Sequence, residues 1–401
     1  MRIYLDYNAG APLRPEVRAA IARLCDADAA NPAAVHHSGQ RARRALEQAR
    51  AQVAQLIGAD PREIVFTSGG TESNNLAIAG AAQAHPARRI VTSGIEHSSI
   101  LAPLEALARL GREVVYVAPD REGRIAPEAV ADALDAPASL VSIGLANAEV
   151  GAVQEAAAMA EPAARAGALF HLDAAQAVGR IAVRVRDLRC DLMTLSGHKL
   201  GAPAGIGALY VRDGVAIAPA LLGGPQESGL RAGTPNLLGA VALGAAVEAV
   251  SAALEEESAR VGALSERLLA LLRAAIPGLR LNGPRSNRVS NTLNLTFPGV
   301  LGESMLIALD LEGVEVSMGS ACAAGAVEPS HVLLAMGLGR EAARSSLRVS
   351  LGWNTRAADI ERAAEIIARV WRRVRAAEPA DSDAANGGGS RGADSSAEAA
   401  R

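Results

Sequence analysis

Seven short runs of apolar, largely β-branched residues recur along the first half of the chain, separated by Ala-rich stretches of helical composition. They are Glu63 to Thr67, Arg89 to Ser93, Glu113 to Val117, Leu140 to Gly144, Leu169 to Asp173, Leu192 to Ser196 and Ile206 to Val211. Runs this apolar leave no face for water, so each predicts a strand covered by helices on both sides. The alternation reads as an α/β plan with a mostly parallel, seven-stranded sheet, whose ligands gather at the carboxyl ends of the strands. Chemistry is therefore expected just after each run. Beyond about Leu237 a long Ala/Leu/Glu/Arg helix leads into shorter elements, including Thr292 to Phe297 and Leu347 to Ser350, which read as a smaller α+β domain. The segment 378–401, with Gly387-Gly388-Gly389, has the Ala/Ser/Gly/Asp composition of a disordered tail.

A net charge of −3 with no run of like charges gives no argument for nucleic acid or an acidic membrane surface. Small molecules or proteins are the expected partners. Met1 to Tyr7 lacks a basic n-region and an apolar h-region, and Arg, Gly or Pro interrupts each apolar stretch, so no membrane span is expected and the cytoplasm is the expected location. Cys25, Cys190 and Cys322 are widely spaced, which argues against a disulfide framework or a protein-only zinc site and fits a reducing compartment. Cys25, in a helix, and Cys190, before a strand, read as buried small hydrophobes. Cys322 lies instead in the small-residue stretch Ser317-Met318-Gly319-Ser320-Ala321-Cys322-Ala323-Ala324-Gly325-Ala326, where a mobile, exposed thiolate could travel.

Of 40 basic residues one is lysine, Lys199. Arginine serves wherever a plain positive charge suffices. What lysine alone offers is a primary amine of adjustable pKa that condenses with an aldehyde. Ser196-Gly197-His198-Lys199 follows the sixth run, and His171-Leu172-Asp173-Ala174-Ala175-Gln176 closes the fifth, so a carboxylate and the sole amine meet on one rim. A carboxylate beside a pyridine nitrogen keeps that nitrogen protonated, which an electron-sink ring requires. After the first run, Thr67-Ser68-Gly69-Gly70-Thr71-Glu72-Ser73-Asn74-Asn75 offers small residues and a hydroxyl at a helix N-terminus, an arrangement suited to an anion and equally to simple capping.

Over about residues 2 to 375 the chain resembles the class V aminotransferase-like pyridoxal-phosphate (PLP) enzymes, and among them the cysteine desulfurases of the NifS/IscS type. The resemblance rests on Tyr4-Leu5-Asp6-Tyr7, Asn31-Pro32, Phe66 to Ser73, Glu96-His97, His171 to Gln176, Ser196 to Lys199, Arg231-Ala232-Gly233-Thr234 and Gly319 to Cys322. It implies a fold-type I homodimer, with a large PLP-binding domain over 14–257 and a small domain from 1–13 and 258–377. It further implies that Lys199 carries the cofactor, that Asp173 binds the ring nitrogen and that Gln176 binds the phenolic oxygen. Phosphate would go to Gly70, Thr71, Ser196 and His198, with Thr234 arriving from the second subunit, and His97 would stack on the ring. Arg348, helped by Asn31, would clamp the substrate carboxylate. Cys322 would take sulfur from L-cysteine as a persulfide, leave L-alanine, and pass the sulfur to an acceptor protein for iron–sulfur cluster assembly or thiolation, touching a nascent [2Fe–2S] cluster on the way.

The chain departs from the family pattern at Ala148, where many relatives have a second asparagine that contacts the cofactor. Asn147, Gln176 or water is left to supply that bond. Met318, Pro225, Ser228 and Ala204 are further departures, bearing on loops and docking. Two alternatives stay open: another class V reaction, such as transamination or selenocysteine lysis, and a non-catalytic PLP-binding partner protein.

Overall fold

The computed structural model describes residues 2–27, 30–85, 87, 89–319 and 328–377. Its strands are β1 (Ile3–Tyr4), β2 (Ile64–Thr67), β3 (Arg89–Ser93), β4 (Glu113–Val117), β5 (Ala138–Gly144), β6 (Leu169–Asp173), β7 (Leu192–Ser196), β8 (Gly207–Val211), β9 (Arg280–Asn282), β10 (Thr292–Thr296), β11 (Val314–Glu315) and β12 (Ser346–Ser350). Strands β2 to β8 form one seven-stranded sheet in the order β2-β8-β7-β6-β5-β3-β4. Only β8 runs antiparallel to its neighbours; the other pairings are parallel.

Alternation along each strand explains why the runs are apolar throughout. Val65, Ile90, Leu140, Leu169, Leu192 and Leu209 enter the core on one face, while Phe66, Val91, Val141, Phe170, Met193 and Tyr210 enter the core on the other. Each such side chain contributes about 1.5–3 kcal/mol on full burial. A polar substitution on either face would therefore cost stability, whereas a one-faced sheet would tolerate every second position.

The smaller unit is an antiparallel sheet in the order β12-β10-β9 with a parallel β1-β11 pair beside it. Leu5, Leu293, Leu295, Phe297, Leu347, Ile367 and Trp371 fill its core. The helix Leu237–Ala275 joins the two units: Leu243, Val247 and Val250 lie in the larger core, and Val261, Leu268 and Leu272 in the smaller. It runs unbroken through the expected boundary at 257/258. Val289, Val332, Leu333 and Met336, expected in the small unit, pack with the larger core instead.

Two expectations are corrected. By length and composition the Leu237–Ala275 helix could cross a membrane, contrary to the expectation that Arg, Gly or Pro interrupts every such run; Gly239 and Gly244 sit inside it without ending it. Leu237, Leu243, Val247, Val250, Val261, Leu268, Leu269 and Leu272 are buried in the two cores, while Leu238 is exposed. Cys25 is exposed on the last turn of the Pro15–Cys25 helix, whereas Cys190 is buried as expected. The expected tail, 378–401, lies outside the described residues.

Candidate active site

The carboxyl ends of β6 and β7 lie side by side, with Asp173 in register with Thr194. Asp173 ends β6, and its carboxylate is fixed by two donors: Asn74 Nδ2 to Oδ2 at 2.8 Å and Ala175 N to Oδ1 at 2.9 Å. One layer below, buried His171 lies between Ser142 Oγ at 2.9 Å and Thr194 Oγ1 at 3.1 Å. Burial drives its pKa down to about 4, so it stays neutral beneath the carboxylate.

β7 runs directly into the short helix Gly197–Leu200, which carries Lys199. Its Nζ donates to Asn8 O at 2.5 Å and Ala9 O at 2.8 Å. Burial first, then the guanidinium groups of Arg180 and Arg348, lower this amine to about 8, against the opposing pull of Asp6 and Asp173.

Asn74 joins Asp173 to the opposite wall. Its Nδ2 also donates to Ser99 Oγ at 2.8 Å, and Ser99 Oγ is 2.8 Å from His97 Nδ1, which accepts from Ser99 N at 3.1 Å. Since Nδ1 accepts, neutral His97 carries its proton on Nε2. Burial lowers its pKa, with Lys199 and His331 acting in the same direction and Asp173 opposing. His97 thus caps the Ser98–Arg109 helix and presents a neutral ring; the capping and the chemical readings hold together.

At the other end of the cleft the glycines form a cradle. Gly69 has φ +154°, and a Cβ at Gly207 would lie 2.7 Å from Gly69 Cα. A Cβ at Gly70 would lie 3.3 Å from Ser196 Cβ. Glycine lets the loop press the first turn of the Gly70–Ala84 helix, which includes Thr71, against Ser196, whose Oγ is 3.0 Å from His198 Nδ1. Glu72 bonds Ser68 N at 2.7 Å and Arg231 Nε at 2.9 Å, so the loop leading to exposed Thr234 is tied to this cradle.

Arg348, on β12, is 4% exposed. It reaches Asp6 Oδ1 at 2.8 Å and the Ala148 carbonyl at 3.4 Å. Arg348 Nε, Gln176 Oε1 and Asn74 Oδ1 are buried without a partner among the described residues. Each such atom costs about 1–3 kcal/mol unless a ligand group or water meets it. Three of them around an amine, a fixed carboxylate and an anion cradle fit PLP together with an amino-acid carboxylate.

Some predicted residues are used differently. Asn147 Nδ2 donates to Ile95 O at 3.1 Å, and Oδ1 accepts from Glu149 N at 2.9 Å and Val150 N at 3.0 Å, so the side chain shapes its own loop. Asn31 is exposed, and its Oδ1 accepts from Ala33 N at 2.9 Å in a local turn. Cys322 lies outside the described residues, but both flanks of its segment meet Glu149. A Cβ at Gly319, where φ is +108°, would lie 2.6 Å from Glu149 Oε2, and Ser330 Oγ donates to the same oxygen at 2.5 Å. His331 Nε2 donates to Glu96 O at 3.0 Å.

Sequence reasoning missed the residue that joins these parts. Asn8 donates through Nδ2 to Ala148 O at 2.9 Å and Thr292 Oγ1 at 2.8 Å, and its Oδ1 accepts from Asn291 at 3.0 Å and Arg180 at 3.2 Å. Its carbonyl accepts from Lys199 and from Gln176 Nε2 at 3.1 Å. An asparagine in a short loop carries no local signal for this. Glu96 was quoted only as part of a motif. Its buried carboxylate accepts from Ser93 Oγ at 2.5 Å and Gly144 N at 2.8 Å, and burial raises its pKa to about 7.

Comparison with known proteins follows the same lines. The profile of the class-V aminotransferase family matches residues 3–363. The chain is 42% identical over 379 residues to a protein named cysteine desulfurase IscS from Dictyoglomus turgidum, covering 94% of this chain and 96% of that one. A solved NifS-like protein superposes with a TM-score of 0.87 at 31% identity, covering 93% of this chain and 100% of the other. A structure described as SspA in complex with cysteine gives a TM-score of 0.78 at 35% identity, over 88% and 99% of the two chains.

Proposed function

From a chain that belongs to the class-V aminotransferase family, and within it to the cysteine desulfurases, we infer which of its own residues carry the reaction from L-cysteine to L-alanine. Membership implies PLP. Lys199 would hold it by the amine, Asp173 by the ring nitrogen, Gln176 by the phenolic oxygen, and Gly70, Thr71, Ser196 and His198 by the phosphate, with Thr234 of a second copy completing a homodimeric site. Bound there, the cofactor supplies an electron sink for the charge left when the substrate's Cα loses its proton.

Arg348 binds the substrate carboxylate, which a planar guanidinium suits. Lys199 Nζ, in the unprotonated fraction that burial enlarges, takes the Cα proton and returns it. His97 offers its Nε2–H face beside them. Cys322 Sγ, as thiolate, attacks the substrate sulfur: an S–S bond forms and the substrate's Cβ–S bond breaks. Its electron pair stays with carbon, which is protonated and leaves as L-alanine. The persulfide on Cys322 passes to an acceptor protein of iron–sulfur assembly or thiolation. Any [2Fe–2S] cargo would need partner ligands besides Cys322, since among the described residues no group of three His, Cys, Asp or Glu side chains can hold a metal. Isolated cysteines support a reducing, cytoplasmic setting.

The observation that carries this reading is Lys199 Nζ, lowered to about 8 and held at Asn8 O, in the cleft that Asp173 borders. The test is turnover of L-cysteine with a thiol reductant by wild-type and Cys322→Ser protein side by side. Loss of both alanine and sulfide in the variant is expected; persistence of either would overturn the assignment of Cys322.

A further inference from the structure

Two guanidinium groups act on Lys199, and they differ in one respect. Arg348 is neutralised by Asp6, 2.8 Å away. Arg180 has no ion-pair partner among the described residues: Nη1 donates to Gln176 O at 2.8 Å and Nη2 to Asn8 Oδ1 at 3.2 Å, both uncharged acceptors. Arg180 is partly buried, and a cation withdrawn from water without a counter-charge is costly and seldom placed idly. Arg180 and Lys199 also line one cavity of about 40 Å³, together with Tyr7, Ser258, Asn291 and Trp353. The other charged pair on that cavity, Arg14 and Glu257, is mutually satisfied at 2.8 Å.

We propose that Arg180 is a positioning residue whose uncompensated charge, set behind Lys199 and joined to it through Asn8, disfavours protonation of the Lys199 amine and so enlarges its reactive, unprotonated fraction near neutral pH. The proposal rests on Lys199 being the reactive amine. The remaining charges facing that amine are accounted for. Asp6 and Asp173 favour its protonation; His97 and His198 are held neutral by burial, His198 at about 4. Burial brings Arg180 itself to about 10, which leaves it a cation at neutral pH. Arg180 touches neither the substrate nor the cofactor in this assignment; it acts by field and by holding Asn8, whose carbonyl receives the amine.

Because the chain has a single lysine, the proposal can be read directly. Apoprotein labelled with [ε-13C]lysine gives one side-chain resonance, whose titration reports Lys199 independently of turnover. Replacing Arg180 with Gln should raise the midpoint by about one unit or more, the range of a nearby like charge. Arg180→Lys, which adds a second resonance, should keep the Lys199 signal near its wild-type midpoint. Asp6→Asn, which releases the Arg348 charge, should move it the opposite way; an unfolded chain would drive every variant upward. An unchanged midpoint in folded Arg180→Gln, or in folded Arg180→Met if the first variant does not fold, would refute the role of Arg180. Loss of turnover in Cys322→Ser alongside an unmoved Lys199 midpoint would leave the desulfurase reading intact and remove only this inference.

Discussion

Asn74 Nδ2 donates to Asp173 Oδ2 at 2.8 Å and to Ser99 Oγ at the same distance. One amide thus orients the carboxylate assigned to the cofactor's nitrogen and, through Ser99, the tautomer of His97. Asn74→Ala would leave partly buried Asp173 Oδ2 and buried Ser99 Oγ each one donor short, costing about 1–3 kcal/mol. If that appears wholly as weaker cofactor retention, the dissociation constant rises roughly 5- to 150-fold. Absorbance titration of the apoprotein with PLP measures it; unchanged affinity would assign Asn74 to packing alone.

Lys199 predicts a pH profile for cofactor capture. Only the unprotonated amine condenses, so with a midpoint of about 8 the rate of capture by apoprotein should rise about tenfold per pH unit below it and level off above it. A plateau reached only near the ordinary lysine value would contradict the burial argument.

Glu96 predicts a pH-dependent stability of opposite character. Its pKa rises from 4.5 unfolded to about 7 folded, so between those values the folded state binds more protons than the unfolded. Stability is therefore lost as pH rises through that window. Glu96→Gln removes the titration, and its melting temperature relative to wild type should climb from pH 5 to 7 and flatten by pH 8. Parallel curves would show that Glu96 does not titrate there.

Gly319 lies where a Cβ meets Glu149 Oε2 at 2.6 Å on a backbone of φ +108°. Gly319→Ala adds strain and a clash of about 1–3 kcal/mol each to the flank of the Cys322 segment. Persulfide formation, followed by mass spectrometry, should slow at least about tenfold, while exchange of the substrate α-proton in deuterated buffer stays near wild type. Equal loss of both would place the defect in the cleft.

Exposed Cys25 supplies a control. Alkylation should label it readily, and Cys25→Ser should leave turnover unchanged, because exposure without a neighbouring site gives a thiol no role in transfer. A drop in rate would bring the Pro15–Cys25 helix into the sulfur path.

The seven strands, the rim shared by Asp173 and Lys199, and the glycine cradle were legible in the chain because each rests on local physics. Alternating burial makes continuous apolar runs, a strand end places its next residues on the rim, and only glycine fits the tight loop. What no local pattern could decide are bonds between residues far apart. Lys199 meets the Asn8 carbonyl across 191 positions and Ser330 meets Glu149 across 181. The same long-range contacts give Asn8 its place between the two units and leave Arg180 without a counter-charge among the described residues. Polar side chains carry no periodicity that announces their partners. Their pKa values and orientations exist only once folding has stripped away water and fixed which donor faces which acceptor.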